Sequence, residues 1–291
     1  MSRTYTVGID IGGTKVAVGL CDAQGNVLAE RKEPTTDPAA VVSQVAALIS
    51  DTDIQVSEIA GMGVGSVGPL DLDRGQILDP INLPTWNDVP IVELLSAEFD
   101  LPVYLDNDAN VGALAEWKYG AQVQNLIYMT ISTGIGGGII NHGSLVHGKG
   151  NAGEVGHMIL LPSGPHCECG KRGCLEALAS GTAIAKKGSD LLGRSVDAED
   201  VVKMARGGHS LAAKIIDDAA YFLGLGISNL AEICDPEVVV LGGGVTQSWD
   251  MFQGLVDEVV DTHSRTPVGV QLTSFGSDIG IVGASLLPLL D

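Results

Sequence analysis

Basic residues are scarce. Only 16 Lys and Arg stand against 36 Asp and Glu, a formal charge of -20. A field of that sign repels phosphate backbones and anionic membranes, so neither nucleic acid nor a lipid surface is expected as a partner. The acids are dispersed, as on a solvated, solubilising surface. No apolar run reaches membrane-spanning length, because Asp235, Pro236 and Glu237 break the stretch in the 230s. The opening MSRTYTVGID has no charged region leading into an apolar signal core, and a cytoplasmic protein is expected. No Gly/Ser-rich or Pro-rich linker is visible. Five cysteines do not make an even disulfide set. Aromatics are few, at 4%, yet 45% of the 291 residues are hydrophobic, ample for a large core in one or two domains.

Glycine is plentiful instead, with 39 residues that cluster beside apolar runs and read as turns at strand ends. Three segments share one plan, a β-rich apolar run closed by glycines: Tyr5 to Lys15, Leu126 to Gly138 and Val238 to Gly244. After the first two, a second strand pattern and a polar hairpin follow, roughly 124 residues apart, which is the mark of a duplicated domain. Helix patterns lie between them. Val41, Val42, Val45, Leu48 and Ile49 form one apolar face behind Asp37-Pro38, Val111, Leu114, Ala115 and Trp117 follow Asp108, and a longer stretch covers about 211–234. Strands alternating with helices predict an α/β chain of two domains with a cleft between them. The expected first domain is 1–108, joined by a C-terminal helix at about 278–291, and the second is 109–277.

In Asp10-Ile11-Gly12-Gly13-Thr14-Lys15 an acid ends a strand and a glycine pair opens the turn. Glycine lets backbone N–H groups approach a phosphate, Thr14 adds a hydroxyl, Lys15 a positive charge, and Asp10 can hold Mg²⁺ through water. An ordinary hairpin with a surface lysine would read the same way. Ser132-Thr133-Gly134-Ile135-Gly136-Gly137-Gly138 repeats these features without the charge. Two such loops at matching places in a repeat can clamp the phosphates of ATP from opposite domains, with Gly242, Gly243 and Gly244 opening a pocket for the adenosine. The Gly-x4-Gly-Lys spacing of a Walker A loop is missing.

Leu105-Asp106-Asn107-Asp108 follows an apolar run and precedes a helix pattern. Asp108 is either a helix N-cap or a general base that orients a sugar hydroxyl and accepts its proton, with Asp106 as the competitor. Asn107, Glu154 and Glu176 have the chemistry to bracket vicinal hydroxyls. Cys167, Cys169 and Cys174, three cysteines within eight residues, make a Cys₃His zinc set with His157 or His166. A closed set of four is structural, and pins its loop rather than doing chemistry.

Together IDIGGTK, DNDAN, STGIGGG, GEVGH and CECGKRGCLE resemble the ROK family over nearly the whole chain. The resemblance implies a two-domain, actin-like sugar-kinase (ribonuclease H-like) fold with a duplicated βββαβα core and a cleft that closes on the sugar. It implies ATP and Mg²⁺ as cofactors, structural Zn²⁺, and a homodimer or homotetramer. Asp108 becomes the catalytic base. Gly68, Asn107, Asp108, Glu154, His157 and Glu176 meet the sugar, and His157 joins Cys167, Cys169 and Cys174 on zinc. Asp10, Gly12, Gly13, Thr14 and Lys15, with Thr133, Gly134, Gly243 and Gly244, serve the nucleotide. Glucose, converted to glucose 6-phosphate, is the first substrate expected, ahead of N-acetylmannosamine, N-acetylglucosamine, mannose and fructose. Val67 and Pro80-Ile81-Asn82 depart from the pattern near the sugar side. A sugar-responsive repressor is not expected, since nine residues before Asp10 cannot hold a helix-turn-helix and the charge opposes DNA. A sugar-binding regulatory protein without kinase activity is the remaining alternative of another class.

Overall fold

The computed structural model describes residues 4–80 and 83–290, and the departure at Ile81 and Asn82 lies outside them. Two compact units are present. The first comprises Met1–Gln122, Leu145–Ala152 and Phe275–Asp291, the second Val123–Ser144 and Gly153–Ser274.

The first unit opens with strands β1 (Tyr5–Ile11), β2 (Lys15–Asp22) and β3 (Val27–Pro34), then helix α1 (Pro38–Ser50) and strand β4 (Ile59–Ser66). A short ribbon of β5 (Leu70–Asp71) and β6 (Gln76–Ile77) precedes helix α2 (Ile91–Phe99), strand β7 (Val103–Asn107) and helix α3 (Asp108–Lys118). The sheet order is β3-β2-β1-β4-β7. β2 is antiparallel to both neighbours, whereas β1, β4 and β7 run parallel. Alternation fails in β1 and β4 because these central strands are buried along most of their length. α1 starts where Asp37 caps Ala40 N and Pro38 stands in the first turn. It buries Val41, Val45, Leu48 and Ile49 against the sheet core of Val7, Ile9, Ile11 and Val18. Each such side chain contributes about 1.5–3 kcal/mol of burial.

The second unit repeats the scheme. β8 (Leu126–Ile131), β9 (Ile135–Asn141) and the short edge piece β10 (Ser144–Leu145) are followed by helices α4 (Leu175–Ala179), α5 (Gly181–Leu192), α6 (Ala198–Arg206) and α7 (Ser210–Cys234). Strand β11 (Val238–Gly242), helix α8 (Gln253–His263) and strand β12 (Gly269–Leu272) complete it. The order β10-β9-β8-β11-β12, with β8 antiparallel to β9 and parallel to β11, copies the first sheet position for position. Its separate core includes Ile127, Met129, Leu223, Val239 and Phe252.

Two expectations need correction. The chain leaves the first unit at Gln122 rather than at Asp108. The reason is helix α3, which packs on the C-terminal helix α9 (Ile279–Ala284), where a Cβ on Gly283 would lie 1.8 Å from the Val111 carbonyl oxygen. Nor are the glycines confined to turns. Gly8 sits mid-strand in β1 because a Cβ there would meet the Ile281 carbonyl oxygen at 1.9 Å. The C-terminal helix therefore seats on bare backbone, a close approach that only glycine allows.

Candidate active site

In the first unit the strand register assembles one edge. Asp10 pairs with Gly65, Gly65 with Asp106, and Ser66 with both Ile11 and Asn107. The Asp10 turn, the Val67-Gly68 loop and Asn107-Asp108 thus leave the carboxyl ends of three adjacent parallel strands, where open α/β sheets bind ligands. The glycine turn is closed by Gly12 N donating to Lys15 O at 3.0 Å and braced by the Thr35 hydroxyl on Gly12 O at 2.7 Å. Gly13, Thr14 and Lys15 stay exposed, as does Gly68. The Asp10 carboxyl packs against Gly280, and burial pushes it up to about 6 against the opposing pull of Lys15 and Lys32.

Asn107, not Asp108, is the helix cap. Its side chain accepts from Ala109 N at 2.9 Å, leaving Asp108 as the first residue of α3, with Oδ1 2.8 Å from the same N–H. A carboxylate there sits at the positive end of the helix dipole. Asp106 is buried, receiving Asn107 N and Asn110 Nδ2 on Oδ1 at 2.7 Å each, and His147 Nε2 on Oδ2 at 2.7 Å.

In the second unit, Ser132-Thr133-Gly134 forms the equivalent β8–β9 turn. Ser132 N donates to Gly134 O at 2.9 Å, and the start of α5 docks on it through Gly181 N to Ser132 O at 2.8 Å. Beside the turn lies a pocket of about 430 Å³. Its walls include Thr133, Gly181, Thr182 and Gly244, together with the apolar side chains of Ile184, Val202, Val245 and Phe252. Gly243 holds φ +92° directly after β11, at the matching sheet edge.

The same unit holds the cysteine knot. Donor atoms of His157, Cys167, Cys169 and Cys174 all lie within 4.8 Å of one another. The Cys169 and Cys174 sulfurs are 3.7 Å apart, and Cys167 Sγ is 3.7 Å from His157 Nδ1. A zinc tetrahedron with Zn–S bonds of about 2.3 Å has edges of ~3.8 Å, which the two 3.7 Å pairs match, so the donor set suits Zn²⁺. His166 is elsewhere, its Nε2 2.7 Å from Arg172 Nη1. The other face of His157 looks to Glu154, with Nε2 3.8 Å from Oε2. The Gly-Glu-Val-Gly-His spacing has a local cause. A Cβ on Gly153 would come within 2.2 Å of Gly137 O, and one on Gly156 within 2.0 Å of Ile135 O, so this segment lies backbone to backbone on β9. Glu176 bridges the knot and the turn. Oε2 accepts from Ile135 N at 3.0 Å while Oε1 lies 3.7 Å from Cys167 Sγ.

The first unit therefore gathers Asp10, Gly12, Gly13, Thr14, Lys15, Gly68, Asn107 and Asp108 along one edge. In the second, Thr133 and Gly244 line one pocket, with Gly134 and Gly243 their neighbours in sequence, and Glu154, His157 and Glu176 lie around the knot. Residue-by-residue reading missed Thr182, Val202, Val245 and Phe252, which have no local signature and meet only through folding. It also missed His147, which lies 41 positions from Asp106.

The model of the ROK family matches residues 6–289. The glucokinase of Halalkalibacterium halodurans is 33% identical, covering 99% of this chain and 96% of its own length. An N-acetylmannosamine kinase of Yersinia pestis is 37% identical, covering 96% of each. The crystal structure of a ROK family glucokinase from Streptomyces griseus, in complex with glucose and AMPPNP, gives a TM-score of 0.80 at 29% identity, covering 97% of this chain and 98% of its own.

Proposed function

The chain belongs to the ROK family, and from that membership we propose that it is an ATP-dependent sugar kinase that phosphorylates a hexose hydroxyl, with glucose as substrate and glucose 6-phosphate as product. The observation that carries the reading is the register of the first sheet, which puts a phosphate-type glycine turn and Asn107-Asp108 on one edge. The glucokinase relatives, and the glucose and AMPPNP held by the Streptomyces griseus enzyme, support the same substrate pair.

In this reading Gly12, Gly13 and Thr14, with Thr133 and Gly134, offer backbone and hydroxyl donors to the phosphates, and Lys15 adds charge. The pocket beside Gly243 and Gly244 takes the adenosine. Asp10 would be the residue to hold Mg²⁺, which when bound would supply positive charge to the phosphates. Asp108 orients the sugar hydroxyl. As the new O–P bond forms and the bond to the β-phosphate oxygen breaks, the hydroxyl proton passes to Asp108 and ADP leaves with the electron pair. Gly68, Asn107, Glu154, His157 and Glu176 bind the remaining hydroxyls. Zn²⁺ on His157, Cys167, Cys169 and Cys174 is structural and fixes the loop that carries the sugar ligands.

The N-acetylmannosamine kinase relative favours a second reading, in which the acceptor is an N-acetylated amino sugar. A homo-oligomer working in the cytoplasm completes the proposal. Among the described residues no helix is long and apolar enough to cross a membrane. The test is ADP release with MgATP across a panel of hexoses and N-acetylated hexosamines. Turnover on glucose supports the first reading and turnover confined to amino sugars the second. Sugar binding without any ADP release would leave the non-catalytic regulator as the better account.

A further inference from the structure

We propose that His147 is a positioning residue, acting through Asp106 to fix the strand end that carries Asn107 and Asp108 and tying to it the segment that leads to Glu154. The inference rests on the reading of Asp108 as the base.

Asp106 is 3% exposed, and its three partners divide unequally. Two are local: Asn107 N and Asn110 Nδ2 come from the same strand-to-helix junction and both serve Oδ1. The third is not. His147 Nε2 reaches Oδ2 at 2.7 Å from a distant stretch of chain, and since the carboxylate can only accept, Nε2 carries the hydrogen. Without that donor, Oδ2 is a buried charged acceptor with a partner removed. The side chain then gains by rotating toward another donor, and that change loosens the Oδ1 bonds beside the Asn107 cap. Asp108 follows one residue later.

The chain path gives the contact a second role. Leu145–Ala152 belongs to the first unit, although Ser144 before it and Gly153 after it belong to the second. Within the segment the His147 carbonyl accepts from Gly150 N at 2.8 Å and Ala152 N at 3.2 Å, so the turn is organised around this one residue. Glu154 lies two positions beyond Ala152. One imidazole thus secures a base on one stretch of chain and the approach to a sugar ligand on another. MgATP contacts depend on neither.

The experiment compares wild type, His147→Ala and His147→Gln by steady-state kinetics against hexose and against MgATP. Melting temperature, zinc content and amide hydrogen exchange across 145–152 are followed alongside. His147→Ala is expected to lower kcat/KM for the hexose ~10–100-fold, the scale of a lost charge-assisted hydrogen bond. KM for MgATP should stay within about threefold and zinc at one per chain, while Gly150 and Ala152 amides exchange faster. Glutamine keeps a donor and should recover most of both effects. Unchanged hexose kinetics in His147→Ala overturn the proposal. So does an equal loss toward both substrates that glutamine fails to relieve, since that is the pattern of a merely structural histidine. If the wild type phosphorylates no sugar, the functional reading beneath is what fails. Unaltered exchange across 145–152 in His147→Ala would then still refute the tether.

Discussion

The carboxylate of Glu176 accepts the backbone N–H of Ile135 at 3.0 Å, which joins the cysteine knot to the glycine turn of the second sheet. Under the proposed function one side chain thereby serves two substrates, since Ile135 follows the turn proposed to hold phosphate and Glu176 is itself a proposed sugar ligand. Replacing it separates the two duties. Glu176→Gln keeps an oxygen for Ile135 N and should raise KM for the hexose ~10–100-fold with KM for MgATP nearly unchanged. Glu176→Ala removes the brace as well and should raise both. Initial rates with each substrate varied in turn decide it, and an alanine variant with unaltered MgATP binding would remove the brace from the account.

Asp108→Asn keeps the size and the place in α3 but cannot accept a proton. Its kcat should fall about 10²–10⁴-fold, while hexose affinity by calorimetry stays within about tenfold. A variant that turns over normally would move the base elsewhere.

Metal analysis should find one zinc per chain. His157→Ala should lose it together with several kcal/mol of stability, and His166→Ala should keep both, because His166 pairs with Arg172 instead. Zinc retained by His157→Ala and lost by His166→Ala would exchange their roles.

Asp10 predicts opposite pH trends for stability and for activity. Its carboxyl rises from 3.8 to about 6 because burial disfavours the charged form. A raised folded-state value means that this group's contribution to stability is fully present below 3.8 and is lost as pH rises through about 6. The Mg²⁺ contact proposed for Asp10 needs the ionised form, so kcat/KM for MgATP should decline as pH falls below about 6. Asp10→Asn should abolish that limb along with most of the activity, and should hold its denaturation midpoint through neutral pH better than wild type. Equal midpoints for the two proteins from pH 4 to 8 would count against a perturbed Asp10.

What was legible in advance was local. The glycine turns, Asp106-Asn107-Asp108 and the cysteine triplet are each built from near neighbours, so their chemistry can be read from spacing. The duplication was legible too, because the apolar run and glycine turn at Tyr5 recur at Leu126. Fit between distant segments was not. Gly8 and Gly283 look like ordinary breaks until the C-terminal helix is laid on them, and their role depends on a backbone contact 273 positions away for Gly8 and 172 for Gly283, at Ile281 and Val111. The cap at Asn107 rather than Asp108 turned on backbone angles that two adjacent capping residues leave open. The pocket walls at Thr182, Val202 and Phe252 carry no motif at all.

The route of the polypeptide has a bearing on its biogenesis. The glycine-bare faces of β1 and β4 wait for a helix encoded after Phe275, so the first-made half of this protein is among the last parts to be finished. A ribosome halted after Ser274 would release a chain whose second unit has all its segments and whose first does not.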